Sequence, residues 1–511
     1  MRVAVVGSGV SGLAATWLLN EYSNHEVHLY EADDRPGGHA HTVKFTPNDS
    51  KSKESVYVDT GFIVFNPSTY PNFIKFLKLQ AVKILPTEMT FSVSRDRGVF
   101  EWAGSNLATI FCQPFRLIDP NMWRLIYDVL RFNACARSIL NTDSEEDFSI
   151  GDYLDREGYS DSFKDNYLIP MTACIWSTPP DKCAMDFPAK TLIQFMNNHH
   201  LLQITGKPSW LTIQGGSREY VNKILAKLPA SQLHLSTPVK AVSTEQGTSS
   251  VKLTTSSGTT ETYDHVIFGC HSDTALSILQ AGEGMTAEEE KILSMFQWNR
   301  NEAVLHSDIN LMPRSRLAWS CWNYLTQSVV DSEGQRKPNS DQVSLTYGMN
   351  DLQHIPLRKF GPVLVTLNPP FEPRDGTLAG RFRYDHPVLD AQAVRAQKLM
   401  PTIQRTRGLS YAGAYLRYGF HEDGFASGLA AAAHLLSPKD KPPFEIETSV
   451  DRKPPSAWAA VLFFMLFEGS GMRGVVGFVG SWVLAVIGYC VRRVLRFGKG
   501  AKGKEWVVTR E

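Results

Sequence analysis

The sequence carries no surplus of charge: 52 lysines and arginines stand against 52 aspartates and glutamates in 511 residues. The basic footprint that nucleic-acid binding needs is therefore missing. There is no Cys-x-x-C pair. Cys112, Cys135, Cys174, Cys183, Cys270, Cys321 and Cys490 are scattered and odd in number, which argues against a disulfide framework or a zinc site and for reduced thiols in a cytosol-facing protein. No repeat is visible. The 37 glycines and 28 prolines are an ordinary share, so collagen-like and low-complexity readings fail. The chain start also has little apolar sequence. Val3, Ala4, Val5 and Val6 are followed at once by glycines, too short a run for the core of a signal peptide. What remains is 43% hydrophobic and 20% charged: a globular chain of two to four domains at roughly 100–200 residues each, long enough to bury a large core.

The opening reads as a βαβ unit. Residues 2–6 predict a buried strand, 13–22 a helix and 27–31 a second strand. Between the first two lies Gly7-Ser8-Gly9-Val10-Ser11-Gly12. In this context G-x-G-x-x-G is informative: the first glycine permits the tight turn, the second lets a pyrophosphate approach and the third allows close helix–strand packing. The helix N-terminus then faces the phosphates. Glu31 follows Gly12 by 19 residues, where a carboxylate can accept from ribose hydroxyls. An adenine dinucleotide without a 2′-phosphate fits best. A glycine turn in an unrelated α/β protein is the competing reading.

Further along, 56–66 alternates like a strand. Residues 70–207 read as mainly helical and aromatic-rich, with Phe73, Phe76, Trp102, Trp123, Tyr127, Phe132, Trp176 and Phe195. Strands are expected at Val239–Thr244, Val251–Thr255 and 260–268. Thr286-Ala287-Glu288-Glu289 is a capping box that opens a helix. Residues 328–342 look like a polar loop, 408–414 a strand into a glycine turn, and 424–436 an alanine-rich helix. Residues 437–456 hold Pro438, Pro442, Pro443, Pro454 and Pro455, as in an extended linker.

The glycines do not separate FAD from NAD. The run Glu31-Ala32-Asp33-Asp34-Arg35-Pro36-Gly37-Gly38-His39 does, because it resembles the acidic-then-R-x-G-G motif of the flavin-containing amine oxidase family. In that family the arginine and glycine backbone lie near the FAD diphosphate and the flavin; Arg35, Gly37 and Gly38 match. Val58-Asp59-Thr60-Gly61 is similar to the strand beside the flavin. Gly215-Gly216-Ser217 followed by Val239 is similar to the return toward the adenine, and Tyr263-Asp264-His265-Val266-Ile267 to the buried strand before the crossover. Tyr411-Ala412-Gly413-Ala414 through Gly424, with Ser427-Gly428-Leu429-Ala430-Ala431, resembles the C-terminal flavin motif. The resemblance runs to about residue 436 and is loose over 80–207 and 281–400. Phrases such as DTGFIVFN, TYPNF, FSVS and GFHEDG are shared with a branch of predicted NAD/FAD-binding amine-oxidase-domain proteins. Wider relatives are monoamine oxidases, carotenoid desaturases and flavin-dependent fatty-acid isomerases.

The resemblance implies an α/β fold. A Rossmann-like FAD-binding domain of the amine-oxidase type would comprise 1–79, 208–280 and 405–436. An interleaved α+β substrate domain would comprise 80–207 and 281–404. FAD is the implied cofactor, held by Gly7, Ser8, Gly9, Val10, Ser11, Gly12, Glu31, Ala32, Arg35, Gly37, Gly38, His39, Gly61, Val239 and Gly413. The family's Gly-Glu is Gly413-Ala414 here, with Glu422 or Asp423 as substitutes for the lost carboxylate. No cysteine lies near 411–415 for a covalent flavin, and the lysine that holds a water near flavin N5 has no counterpart that can be placed. Trp319, Trp322, Tyr324, Tyr415 and Tyr418 are candidates for an aromatic cage, with core packing as the alternative. His421, Tyr415 and Tyr418 are the catalytic candidates, and His421-Glu422-Asp423 reads as either acid–base or cofactor-positioning equipment. His39-Ala40-His41 suits packing at the flavin better than a metal, and His199-His200 lacks a carboxylate motif; no metal is expected.

Two apolar pieces follow the prolines. Residues 457–467 number 11, too few to span, and 475–491 are 17 without a charge, the lower limit for crossing a bilayer. Seven basic residues against two acidic ones follow residue 491. The expectation is a linker at 437–456, a membrane anchor at 457–495 and a basic tail at 496–511. The anchor is either a re-entrant hairpin or a single span, with the body facing the cytosol. Three functions stand open: hydride transfer from a lipid acyl chain to flavin N5, as in a desaturase or isomerase; amine oxidation with O2; and a non-catalytic membrane-bound flavoprotein.

Overall fold

The computed structural model describes residues 1–47, 54–141, 148–177, 185–203, 206–244, 250–330, 336–339, 343–447 and 457–500. Cys183, the prolines at 454 and 455, and the end of the basic tail lie outside the described residues.

Strand Arg2–Val6 is apolar because both its faces are covered: Val3, Ala4 and Val5 are wholly buried. It pairs in parallel with Glu26–Tyr30 on one side and His265–Phe268 on the other. Leu409–Tyr411 and Leu233–His234 complete a five-stranded parallel sheet. Continuous apolar strands are what a sheet covered on both faces requires. Helix Val10–Tyr22 lies on this sheet, and helix His421–Ala433 packs across its start. Two glycines permit that crossing. A Cβ on Gly428 would fall 2.0 Å from the Ser11 carbonyl oxygen, and one on Gly424 2.6 Å from Val10 Cγ1.

The expected strand 260–268 is broken in two at Asp264. Its Oδ2 accepts from the Arg2 N–H at 2.6 Å, and its own N–H donates to the Arg2 carbonyl at 2.8 Å. Thr260–Tyr263 stays in an antiparallel sheet with Val239–Thr244 and Val251–Thr255, while His265–Phe268 crosses to the parallel sheet. The strand expected over 56–66 stops at Asp59. Asp59 is buried and tied to Ser217, Thr42 and Gln353, and the chain then turns at Gly61, where a Cβ would meet the His39 carbonyl oxygen at 2.3 Å.

The segment 70–207 is less helical than its sequence suggests. Ile84–Thr87 pairs antiparallel with Trp210–Ile213. Phe91–Arg95 and Phe100–Ala103 form one edge of a seven-stranded sheet whose other strands lie between residues 297 and 388. The strands Phe91–Arg95 and Phe100–Ala103 escaped detection because most of their positions are buried, so no two-residue alternation marks them. The supposed loop at 328–342 contains the pair Ser328–Val330 and Arg336–Pro338. The capping box at Thr286 forms as expected, with Thr286 Oγ1 accepting from the Glu289 N–H at 3.1 Å.

The proline-rich segment does not stand clear of the body where it is described. Phe444 stacks on Trp17 at 6.0 Å, and the Glu447 N–H donates to Asn72 Oδ1 at 2.9 Å. Helix Trp458–Gly469 is likewise seated on helix Pro120–Cys135. Tyr127 packs its ring 5.6 Å from Phe464 and donates its hydroxyl to Glu468 Oε1 at 2.6 Å. The expectation of a linker at 437–456 leading into a membrane anchor from 457 is corrected to this extent: both Phe444–Glu447 and Trp458–Gly469 pack on the body. Helix Met472–Gly500 follows; its stretch Met472–Val491 has a mean hydropathy of 2.0 and is long and apolar enough to cross a membrane.

Candidate functional site

A cavity of about 530 Å³ opens at the C-terminal ends of the parallel strands, where open α/β sheets place their ligands. At one end its wall is mostly backbone. Gly7 adopts φ +97°, which a side chain would strain. Gly12 packs so closely that a Cβ would sit 1.8 Å from the Gly7 carbonyl oxygen. Gly9 is different: the nearest atom to a Cβ there is 4.0 Å away, so its missing side chain leaves room at the cavity wall. The second motif is fastened to the first, since the Gly37 N–H donates to the Ser8 carbonyl at 3.1 Å. Arg35 Nη1 donates to the Gly38 carbonyl at 2.9 Å, bracing the R-x-G-G turn from behind. Glu31 Oε2 accepts from the Ser8 N–H at 2.8 Å and the Ser8 hydroxyl at 2.5 Å, and Oε1 from the Asp33 N–H at 2.9 Å. The carboxylate is thereby held at the cavity edge beside Ala32, Thr237 and Val239.

The middle of the cavity joins both motifs to the C-terminal one. Gly38, His39, Gly61 and Gly413 line it together. Gly413 has no room for a side chain because the Tyr415 ring would lie 2.2 Å from its Cβ. His39 Nε2 is buried without a hydrogen-bond partner among the described residues, and so is the Tyr415 hydroxyl. Both residues line the cavity, and orphaned buried polar atoms at a lined void are what a missing polar ligand leaves behind. Burial, reinforced by His386, holds His39 well below the ordinary histidine range. His421 stacks on Phe62 at 3.7 Å and shares a 2.8 Å hydrogen bond between its Nε2 and the Tyr220 hydroxyl. Burial lowers its pKa to about 3, so the ring is neutral. A neutral, stacked imidazole with this nitrogen engaged is suited to positioning rather than to carrying a proton.

The far end is built from side chains of separated elements: Ile175, Phe195, His199, Trp210, Trp322 and Tyr347 among them. His199 Nδ1 donates to the Phe195 carbonyl at 3.0 Å, which makes Nδ1 the protonated nitrogen; burial lowers the pKa of the ring to about 4. His200 turns to Ser68 instead, at 3.0 Å, and His41 to the Tyr384 hydroxyl, at 2.9 Å.

Not every expected residue reaches the cavity. Gly7, Gly9, Val10, Ser11, Glu31, Ala32, Gly38, His39, Gly61, Val239 and Gly413 line it; Ser8, Gly12, Arg35 and Gly37 stand behind them. Glu422 and Asp423 are a correction. Glu422 is buried and points at helix Pro71–Leu79, where Oε1 accepts from the Asn72 N–H at 3.0 Å and Oε2 from the Phe73 N–H at 3.0 Å. Those N–H groups are the unpaired donors of a helix start, and burial pushes the Glu422 pKa up to about 8 against them. Asp423 caps its own helix by accepting from the Phe420 N–H at 2.9 Å. Neither replaces the lost carboxylate at the cavity. Of the cage candidates, Trp322 and Tyr415 line the void. Trp319 donates to the Pro313 carbonyl, Tyr324 is core, and Tyr418 packs behind Phe195 at 5.6 Å. Trp298, stacked on His271 at 3.8 Å, and His386 line the cavity without any local motif to announce them.

The family model described as flavin containing amine oxidoreductase matches residues 10–289, more than half the chain. No curated protein sequence matches it. Among solved structures, the CLA-producing fatty acid isomerase from P. acnes is similar, with a TM-score of 0.56 at 12% identity over 85% of this chain and 99% of that one. Cyclohexylamine oxidase from Brevibacterium oxydans IH-35A gives 0.55 at 13% over 85% and 98%. Reduced UDP-galactopyranose mutase gives 0.57 at 16% over 85% and 95%. At these identities the likeness speaks for the fold; the family match speaks for the cofactor. The chain belongs to the flavin-containing amine oxidoreductase family and is an FAD-dependent oxidoreductase.

Proposed function

We propose that this FAD-dependent oxidoreductase acts on a C–H bond of a lipid acyl chain, in the manner of a desaturase or isomerase. The observation that carries this reading is the far wall of the cavity. It is apolar and aromatic, and the carboxylates among the described lining residues are Glu31, at the nucleotide end, and Asp385, beside His271. A cationic amine would lose its hydration there without a counter-charge, whereas an acyl chain loses nothing. The fatty acid isomerase among the similar structures supports the same substrate class. FAD supplies a two-electron acceptor for the substrate hydride. The chain's contribution is to clamp the dinucleotide through Gly7, Gly9 and Glu31, to hold His39 and His421 neutral beside it, and to exclude water with Phe195, Trp210 and Trp322.

The proposal includes a division of labour between two discontinuous domains, 1–79 with 208–280 and 405–436 for FAD, and 80–207 with 281–404 for substrate. It also makes Met472–Val491 a single-span anchor, with the body on the cytosolic side. The seating of Trp458–Gly469 on the body favours one span over a hairpin. Amine oxidation with O2 is the second reading. It draws on Trp322 and Tyr347, which meet edge to face at 5.4 Å in the wall, and on the cyclohexylamine oxidase likeness.

The test is anaerobic incubation of the purified holoprotein with phospholipids, free fatty acids and an amine panel. Flavin bleaching, or a new or shifted double bond in the acyl chain, is expected with lipid. Bleaching with amines alone, followed by peroxide release once air is admitted, would replace the first reading by the second.

A further inference from the structure

The body has its own exposed apolar surface, apart from the tail. Leu107 is 72% exposed, Phe115 58%, Leu117 47%, Trp123 44% and Leu317 58%. Three short segments bring these side chains together. Helix Leu107–Ile110 lies against the turn Arg316–Ala318, over a small buried cluster of Ala103, Cys112 and Ala318. The turn Pro114–Ile118 runs into helix Pro120–Cys135, and Trp123 is fixed across that junction: its indole N–H donates to the Leu117 carbonyl at 2.9 Å, and its ring packs 5.2 Å from Phe111. Single exposed apolar residues need no explanation, but a contiguous set does.

The set is continuous with the start of the long tail helix. Met472–Gly500 touches both the Pro114–Ile118 turn and helix Pro120–Cys135. Its departure point is pinned by charge: Glu468 accepts from Arg473 Nη1 at 2.8 Å and faces Arg131 Nε at 3.4 Å, with Arg131 itself buried. A partly buried ion pair of this kind fixes direction more than it adds stability. Whatever solvates the apolar helix therefore lies level with the patch. At the patch margin Arg314 and Arg316 are exposed, and Arg316 lies over the Trp319 ring at 4.6 Å. Apolar tips with aromatic and arginine flanks suit the interface of a bilayer, hydrocarbon inside and phosphate at the rim.

We infer that the body itself docks on the bilayer through Leu107, Phe115, Leu117, Trp123 and Leu317, so that the protein is seated on the membrane and does not swing from a tether. This rests on the reading of Met472–Val491 as an anchor, and the test separates the two. Native tryptophans report on each: Trp482 on the span and Trp123 on the patch. Full-length holoprotein is reconstituted in phosphatidylcholine vesicles with brominated acyl chains, and the quenched fluorescence owed to each tryptophan is read from Trp482→Phe and Trp123→Phe. Both are expected to be quenched, and the paired change Phe115→Asp with Leu117→Asp should cut the Trp123 quenching at least twofold while the chain still sediments with vesicles. Quenching of Trp482 without Trp123 overturns the docking and leaves the anchor. Trp123 without Trp482 upholds the docking and removes the anchor. Quenching of neither overturns both. Shielding of an unquenched Trp123 by self-association assigns the patch to a second copy and also overturns the proposal.

Discussion

The two ends of the cavity are built by opposite means. The nucleotide end is made by backbone: Gly7, Gly9, Gly12, Gly37 and Gly38 work by what they lack, and Glu31 is held by N–H groups within reach of the same turn. The far end is made by side chains from elements as distant as Ile175, Trp322 and Phe420. A backbone site admits almost no substitution and recognises one invariant chemical group. A side-chain site can be repacked without disturbing the backbone that carries it.

Acid should have the largest effect, because His199 at the far end and His421 in the middle of the cavity are both buried and neutral. Their pKa values in the folded protein are about 4 and about 3, lowered by burial from 6.5. Below pH 6.5 the unfolded chain binds protons that the folded chain refuses. Stability present above that pH is lost as pH falls toward 4, by about 1.4 kcal/mol per pH unit for each histidine. Thermal midpoints should drop steeply between pH 7 and 5, and the paired change His199→Gln with His421→Gln should shallow the drop. A midpoint indifferent to pH over that window would contradict the neutral, buried assignment.

Gly12→Ala comes next. Its methyl would overlap the Gly7 carbonyl oxygen, costing about 3 kcal/mol. The purified protein should be colourless, as measured by the flavin absorbance band relative to protein. Retention of a full flavin complement would mean that the helix and turn can separate freely. Glu31→Gln should leave the fold intact and weaken FAD binding about ten- to a hundredfold, since charge-assisted hydrogen bonds contribute about 1.5–3 kcal/mol. A titration of apoprotein with FAD reads this directly, and an unchanged affinity would detach Glu31 from the clamp. The smallest effect is expected at the far end. Trp322→Phe should keep the flavin content and change turnover between substrates by less than about tenfold. Loss of flavin in that variant would show the two ends to be one unit.

Much of the nucleotide end was legible because its elements follow one another within the first 39 residues and each glycine has a local reason to be there. The opening strand, helix and second strand emerged close to where they were expected. The strand edges near Ile84, Phe91 and Phe100 were hidden, since partners supplied from residues 210–213 and 322–326 stabilise them. Glu422 misled for a similar reason. Its place beside the C-terminal motif suggested a cofactor contact, but the unpaired N–H groups of Asn72 and Phe73, 350 and 349 residues away, claim its carboxylate. His386 and Trp298 carry no motif; they enter the cavity because strands Gln297–His306 and Leu378–Val388 pair alongside it.

By itself the amino-acid order determined a glycine turn at a helix start with a carboxylate beside it, because glycine torsions, a helix start and a nearby carboxylate are all short-range properties; the flavin was legible only through the resemblance of residues 31–39 to a family motif. The folded chain alone decided which aromatic rings face the cavity, which carboxylate caps a distant helix, and that the helix after the prolines rests on the body. Each of these depends on surfaces that meet only once the sheets are assembled, and burial, unlike a torsion, has no local signature.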